Sequence, residues 1–152
     1  MNRWMAIAIE EAHKGMHHNE GGPFGAAIVR DGELIASAHN EVLKTNDPTA
    51  HAEMNAIRKA SEKLSTHDLS DCVLYTSCYP CPMCLGAILW ARIPKVYYAS
   101  SMEEAARGGF DDQAFYTLFN RPDEALEMTS IDREDGAKLF SQWLEKSDRT
   151  LY

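Results

Sequence analysis

Two short segments hold a histidine and two cysteines in a pattern that few folds can bring together: His51-Ala52-Glu53 and Pro80-Cys81-Pro82-Met83-Cys84. One imidazole and two thiolates make three protein ligands for a tetrahedral zinc, and the fourth position, left to water, is the mark of a catalytic rather than a structural metal. The spacing sets how the chain must deliver them. Residues two apart on a helix point to nearly opposite sides, so His51 and Glu53 cannot both reach one site from mid-helix. They can converge at a helix start. Asp47 or Thr49 can cap there, Pro48 suits an early position, and Met54, Ile57 and Leu64 begin the apolar stripe only afterwards. Pro82 likewise suits a first helical turn and places Cys81 and Cys84 where unpaired backbone N–H groups favour thiolates. A metal is expected between two helix N-termini.

The remaining features bound what such a metal can serve. A chain of 152 residues is read as one domain, 1–152. Its formal charge of −8 argues against a partner with a polyphosphate backbone, which needs a face rich in lysine and arginine. A small, weakly charged substrate fits better. Of the four cysteines, Cys78, Cys81 and Cys84 fall within seven residues, metal spacing rather than a disulfide framework, which points to a reducing cytoplasm. The apolar run Trp4–Ile9 ends at Glu10 and reads as part of an amphipathic helix, neither a signal peptide nor a membrane span.

The expected order is a helix over about 2–18, then a hairpin from Phe24–Arg30 to Glu33–Ala38 turning at Asp31-Gly32, a loop to Pro48, and a helix from about His51 to Leu64. Cys72–Thr76, residues 82–91 and Lys95–Ala99 form a strand–helix–strand unit with parallel strands. Short helices follow at Met102–Arg107 and Phe115–Phe119, then a weak strand near Leu126–Ile131 and a final helix from about Gly136 to Lys146. The class is α/β, a three-layer α/β/α sandwich around a mixed five-stranded sheet. The cysteines then lie at the carboxyl edge of a strand, where open α/β sheets bind ligands.

Two thiolates formally cancel the charge of zinc and leave it a weaker Lewis acid than one held by neutral ligands, so the site needs a base. Glu53 can take a proton from the activated water and deliver it to a ring nitrogen and then to a leaving amine. The histidine segment followed by PCxxC is the pattern of zinc-dependent nucleobase deaminases. The bland alternatives are a closed site with Cys78 as fourth ligand, a redox CxxC, and a solvated Glu53. A non-enzymatic zinc-stabilised binding module belongs with them.

Over nearly its whole length the chain resembles the bacterial-type guanine deaminases of the cytidine-deaminase-like superfamily. The resemblance is carried by Gly22-Pro23-Phe24-Gly25, Asn40, the run from Asn46 to Glu53, Tyr75-Thr76-Ser77-Cys78, Cys81–Ile88 and Gly109-Phe110-Asp111-Asp112. It implies hydrolytic deamination of guanine to xanthine and ammonia, with one zinc per chain on His51, Cys81 and Cys84 and with Glu53 as the proton carrier. It also implies that Asn40 and Asp112 contact the purine, that Phe24 packs on its ring, and that terminal Tyr152 closes the pocket. The closing helix and tail, about 136–152, can come from a partner subunit of a domain-exchanged homodimer. The superfamily leaves tRNA adenosine, cytosine, guanosine and isocytosine as alternative substrates. Asp112 has its own rationale, because guanine's reactive C2 amine is flanked by an N1–H donor that a carboxylate can accept, whereas cytosine and adenine present an acceptor there. Asp111-Asp112 after Gly108-Gly109 is equally a place for a helix cap.

Overall fold

Asp31 and Gly32 take φ of 50° and 74°, the paired left-handed conformations that match a two-residue turn to the twist of a hairpin, in a computed structural model that describes residues 1–152. The turn joins β1 (Gly25–Arg30) to β2 (Glu33–His39) in antiparallel register. On its other side β1 pairs antiparallel with β3 (Val73–Cys78), which pairs in parallel with β4 (Lys95–Ser100). The order β2-β1-β3-β4 makes a mixed sheet of four strands.

The period-two alternation of β1 and β2 sends side chains to two differently covered faces. Ala26, Ile28, Ala36 and Ala38 join the buried core with Ala52, Ala56 and Ala60 of α3 (Ala52–Leu64) and Ile88 of α4 (Pro82–Trp90). The opposite face receives α1 (Arg3–His17) so closely that a Cβ on Gly25 would lie 2.0 Å from the Ala8 carbonyl oxygen and 2.5 Å from the Ala12 nitrogen. Small residues on both partners permit this approach, which layers helices on either side of the sheet. The parallel pair β3 and β4 is joined through α4, as the strand–helix–strand pattern requires.

The expected fifth strand does not form. Leu126 and Met128 flank Glu127, but Ser130 breaks the alternation before Ile131, and the segment has no strand partner and follows a 3-10 turn at Pro122–Glu124. A short apolar stretch does not hold extended structure without a neighbouring ladder. A short helix, α2 (Val42–Thr45), occupies part of what reads as a loop in the sequence. Beyond β4 come α5 (Met102–Arg107) and α6 (Asp112–Leu118). The chain divides into two compact units, Met1–Tyr116 and Thr117–Tyr152, the second carrying α7 (Arg133–Glu145). No helix is long and apolar enough to cross a membrane.

Candidate metal centre and cavity

His51 is itself the N-cap of α3, with extended φ and ψ of −70° and 159° and a side chain that makes no capping bond. This corrects the expectation that Asp47 or Thr49 caps the helix. Asp47 instead closes a turn one step earlier, its carboxylate accepting from the Thr49 backbone N–H at 2.8 Å and from the Thr49 hydroxyl at 2.7 Å. The shift frees the imidazole from local bonding while Glu53 enters the first turn, so the two converge. Cys81 repeats the device as N-cap of α4, with Pro82 following, and its Sγ accepts from the Cys84 backbone N–H at 3.5 Å. Both caps thus point toward one place.

There, Nδ1 of His51 lies 3.5 Å from Sγ of Cys81 and 3.6 Å from Sγ of Cys84. Zinc at about 2.0–2.1 Å from nitrogen and about 2.3 Å from sulfur, at the tetrahedral angle, separates N from S by roughly 3.5–3.6 Å. The donor set and its spacing therefore fit one zinc. The three residues form a cluster of potential ligands that does not include Cys78. Cys78 is buried with its thiol directed at the Ser101 carbonyl at 3.7 Å, and burial pushes its pKa up to about 11, so it stays a neutral thiol. The closed four-ligand site loses its support. Cys81, by contrast, is held well below the ordinary thiol range, chiefly by the hydrogen bond from Cys84 and also by His51, which readies it as a thiolate.

Glu53 is almost wholly buried, at 6% exposure, which removes the solvated reading. Burial raises its pKa, and hydrogen bonds from Thr76 and Cys84 offset part of the rise. Its Oε2 lies 3.4 Å from Cys84 Sγ, beside the metal cluster yet outside the ligand trio. A buried carboxyl tuned upward beside a catalytic metal is suited to carry protons.

These groups open on a cavity of about 510 Å³ lined by Phe24, Asn40, His51, Glu53, Phe110 and Asp112 among others. Its volume falls in the range of small-molecule sites, about 300–1,000 Å³. The Asn40 Oδ1 accepts from the Val42 backbone N–H at 3.1 Å, which leaves the carboxamide NH2 as the donor for a ligand. Phe24 meets Phe110 edge to face, centroids 4.9 Å apart, and a Cβ on Gly22 would come within 2.8 Å of the Phe110 ring, so glycine makes room for the pair. Asp111, not Asp112, accepts from the Ala114 backbone N–H at 3.3 Å at the start of α6. The capping role thus falls on Asp111, and the Asp112 side chain lines the cavity. Seven of the eight residues expected at the site, all but Tyr152, line this cavity or its metal cluster. Tyr152 lies in the second compact unit and is exposed.

Sequence reasoning missed Thr76, Phe110 and Leu43. Thr76 had a signal, a lone hydroxyl at a core-facing position of an apolar strand, where a buried polar group needs a partner. Phe110 stood inside the motif without a role. Leu43 lines the cavity only because of α2, whose four residues carry no periodicity to detect.

Residues 1–100 match the family model described as the cytidine and deoxycytidylate deaminase zinc-binding region. The chain belongs to this family of zinc-dependent deaminases. Among its relatives, guanine deaminase of Bacillus subtilis (strain 168) is 54% identical over 147 residues, 95% of this chain and 94% of the relative. The X-ray structure of guanine deaminase from Bacillus subtilis superposes with a TM-score of 0.95 and 44% identity, covering 100% of this chain and 99% of that one. The tRNA-specific adenosine deaminase of Aquifex aeolicus (strain VF5) is 35% identical over 148 residues, 94% of this chain and 93% of the relative.

Proposed function

We propose that this enzyme hydrolyses guanine to xanthine and ammonia, with His51, Cys81 and Cys84 holding one zinc and Glu53 carrying protons. The observation that carries the choice of guanine is the placement of Asp112, a carboxylate in the cavity wall relieved of capping duty by Asp111. The C2 amine of guanine lies between the N1–H donor and the N3 acceptor. Asp112 accepts from N1–H, Glu53 serves N3, and the NH2 of Asn40 donates to the carbonyl edge of the base. Phe24, braced by Phe110, offers its ring to the purine face.

Zinc, when bound, supplies the acidity that makes water a nucleophile at neutral pH. Glu53 removes the proton from that water as its oxygen bonds to C2, and passes the proton to N3. The proton left on the new C2 hydroxyl then passes through the same carboxylate to the departing amine, the C2–N bond breaks as the C2 carbonyl forms, and ammonia leaves. Burial raises the Glu53 carboxyl above its ordinary range and so makes it a better proton acceptor than a solvated glutamate.

The same reading extends to the parts of the chain beyond the cavity. We infer that residues 1–152 work as one deaminase domain in a reducing cytoplasm, where the ligand cysteines stay as thiols and thiolates. Residues from about 136 to 152 close the active site of a partner in a homodimer, bringing Tyr152 over the base. Support comes from Leu139, Phe140, Leu144 and Leu151, apolar side chains exposed at 66% or more that a partner surface would cover. The tRNA adenosine reading has the Aquifex relative in its favour, and the net charge of −8 weighs against it. Incubating zinc-loaded protein with guanine tests the assignment: xanthine and ammonia appear in equal amounts if it holds. Absence of both, with zinc bound, overturns it.

A further inference from the structure

A second cluster of titratable groups lies behind the cavity wall, and the chemistry of the metal centre makes no use of it. His39, the last residue of β2, sits with Nδ1 2.8 Å from Glu11 of α1 and Nε2 2.5 Å from Glu20, and Nε2 is 3.8 Å from Glu41. A neutral imidazole has one N–H, yet here carboxylates face both ring nitrogens. Only the imidazolium can donate to both. That double engagement also occupies the nitrogens a metal would need, although Glu20, His39 and Glu41 lie close enough to be counted as potential ligands.

Lysines on two helices extend the charge network around the ring. On α1, Lys14 pairs with Glu11 at 3.5 Å and with Glu10 at 3.3 Å. On α2, Lys44 pairs with Glu20 at 3.3 Å and Glu41 at 3.5 Å. From α3, Asn55 donates to the His39 carbonyl at 3.0 Å. Four carboxylates, Glu10, Glu11, Glu20 and Glu41, thus meet three cations, Lys14, Lys44 and a charged His39. Burial works against the charged ring, and the hydrogen bonds to Glu11 and Glu20 outweigh it, so the histidine titrates above its ordinary range.

What the cluster ties together is the cavity wall. Glu20 precedes Gly21 and Gly22, and its carbonyl accepts from the backbone N–H groups of Leu43 and Lys44 at 2.9 and 3.0 Å. A Cβ on Gly21 would lie 2.1 Å from Asn40 Oδ1, so that loop and the Asn40 carboxamide are in direct contact. Gly21, Gly22, Asn40, Val42 and Leu43 all line the cavity. Gly15 admits the clamp, since a Cβ there would come within 2.6 Å of His39 Cδ2.

We infer that His39 is a positioning residue, a cationic clasp between Glu11 and Glu20 that fixes the Gly21–Gly22 and Asn40–Leu43 walls against the substrate. The inference rests on the reading of the cavity as the base-binding site. His39 touches no reacting atom, so its loss weakens substrate binding without removing zinc or the chemistry.

The test compares zinc-loaded native protein with His39→Gln and Gly15→Ala by guanine kinetics, zinc content and amide hydrogen exchange. Gly15→Ala keeps the charges, favours helix, and displaces the ring, so it separates the clasp from a charge effect. Both variants are expected to hold one zinc per chain, keep kcat near the native value, and raise KM at least about fivefold, the loss expected for one misplaced hydrogen bond. The KM of native protein climbs at alkaline pH as the imidazolium is lost, beyond any change seen in His39→Gln. In both variants the Leu43 and Lys44 amides exchange faster, while those of α3 beyond its first turn do not. Unchanged exchange at Leu43 and Lys44, unchanged KM, or parallel loss of zinc and kcat overturns the inference. If native protein leaves guanine untouched but the exchange pattern responds as described, the clasp stands and the substrate assignment fails.

Discussion

The Thr76 hydroxyl donates to Oε1 of Glu53 at 2.9 Å, both side chains buried. The Thr76 Oγ1 also lies 3.1 Å from the Cys78 carbonyl, so a hydroxyl with one proton has two acceptors within reach. Thr76 thus engages Glu53 at Oε1 and leaves Oε2 facing Cys84 of the metal cluster. Glu53→Gln is expected to keep zinc and fold yet lose at least about a hundredfold in turnover, the usual contribution of positioned proton transfer. Thr76→Val should lose about fivefold in kcat with zinc retained, and Thr76→Ser should recover most of it, since a net hydrogen bond is worth about 1 kcal/mol. Steady-state rates on metal-quantified protein decide the matter, and native kcat in Thr76→Val would remove the orienting role.

Metal content separates an open site from a closed one. His51→Ala, Cys81→Ala and Cys84→Ala should each lose zinc, because three protein ligands leave no spare, whereas Cys78→Ala should hold one zinc per chain. Elemental analysis of the four purified variants checks this, and loss of zinc from Cys78→Ala contradicts the geometry.

Much of this site was legible before any coordinates because its chemistry is local. His51 had to stand at a helix start, since a two-residue spacing does not converge from mid-helix, and Pro82 marked a second start after Cys81; both residues are N-caps. The hairpin turn at Asp31-Gly32 and the parallel pairing of β3 with β4 were likewise set by turn chemistry and crossover length. Residues whose roles come from remote packing were less readable. Asp111 and Asp112 are chemically identical neighbours, and only the direction of α6 gives the first the cap and the second the cavity. The weak strand expected near Leu126–Ile131 does not form because residue pattern reports side chains and not the presence of a pairing edge.

The clasp at His39 gives stability a pH signature. A histidine whose folded pKa is raised contributes stability that is whole below its unfolded value near 6.5 and is lost as pH rises through the folded value. Glu11 and Glu20 are lowered and contribute in the opposite sense, whole above about 4.5 and lost as pH falls through their folded values. For Glu11 burial opposes the lowering, and His39, Lys14 and Ser37 together outweigh it; for Glu20 the His39 bond leads. The stability difference between native protein and His39→Gln should therefore be greatest between about pH 4.5 and 6.5 and shrink on either side. Urea unfolding midpoints across pH measure it, and a difference that grows steadily above pH 7 contradicts the charged clasp.

Asp112 should govern substrate choice rather than metal binding. Asp112→Ala is expected to keep one zinc and lose guanine turnover by at least about a hundredfold, since a buried substrate donor left without its acceptor costs roughly 2–3 kcal/mol. Parallel zinc and rate measurements on this variant check the split, and native rates would show that N1–H is met elsewhere.

The most direct test of the account is ammonia release by native protein of known zinc content across guanine, guanosine, isocytosine, adenine, cytosine, cytidine and tRNA. Guanine should be turned over fastest, and adenine and cytosine should trail it by about 10⁴ in kcat/KM, because a site built to receive a substrate N–H rejects bases that present an acceptor there. Comparable turnover of cytosine, or of adenosine in tRNA, would contradict the account at its centre.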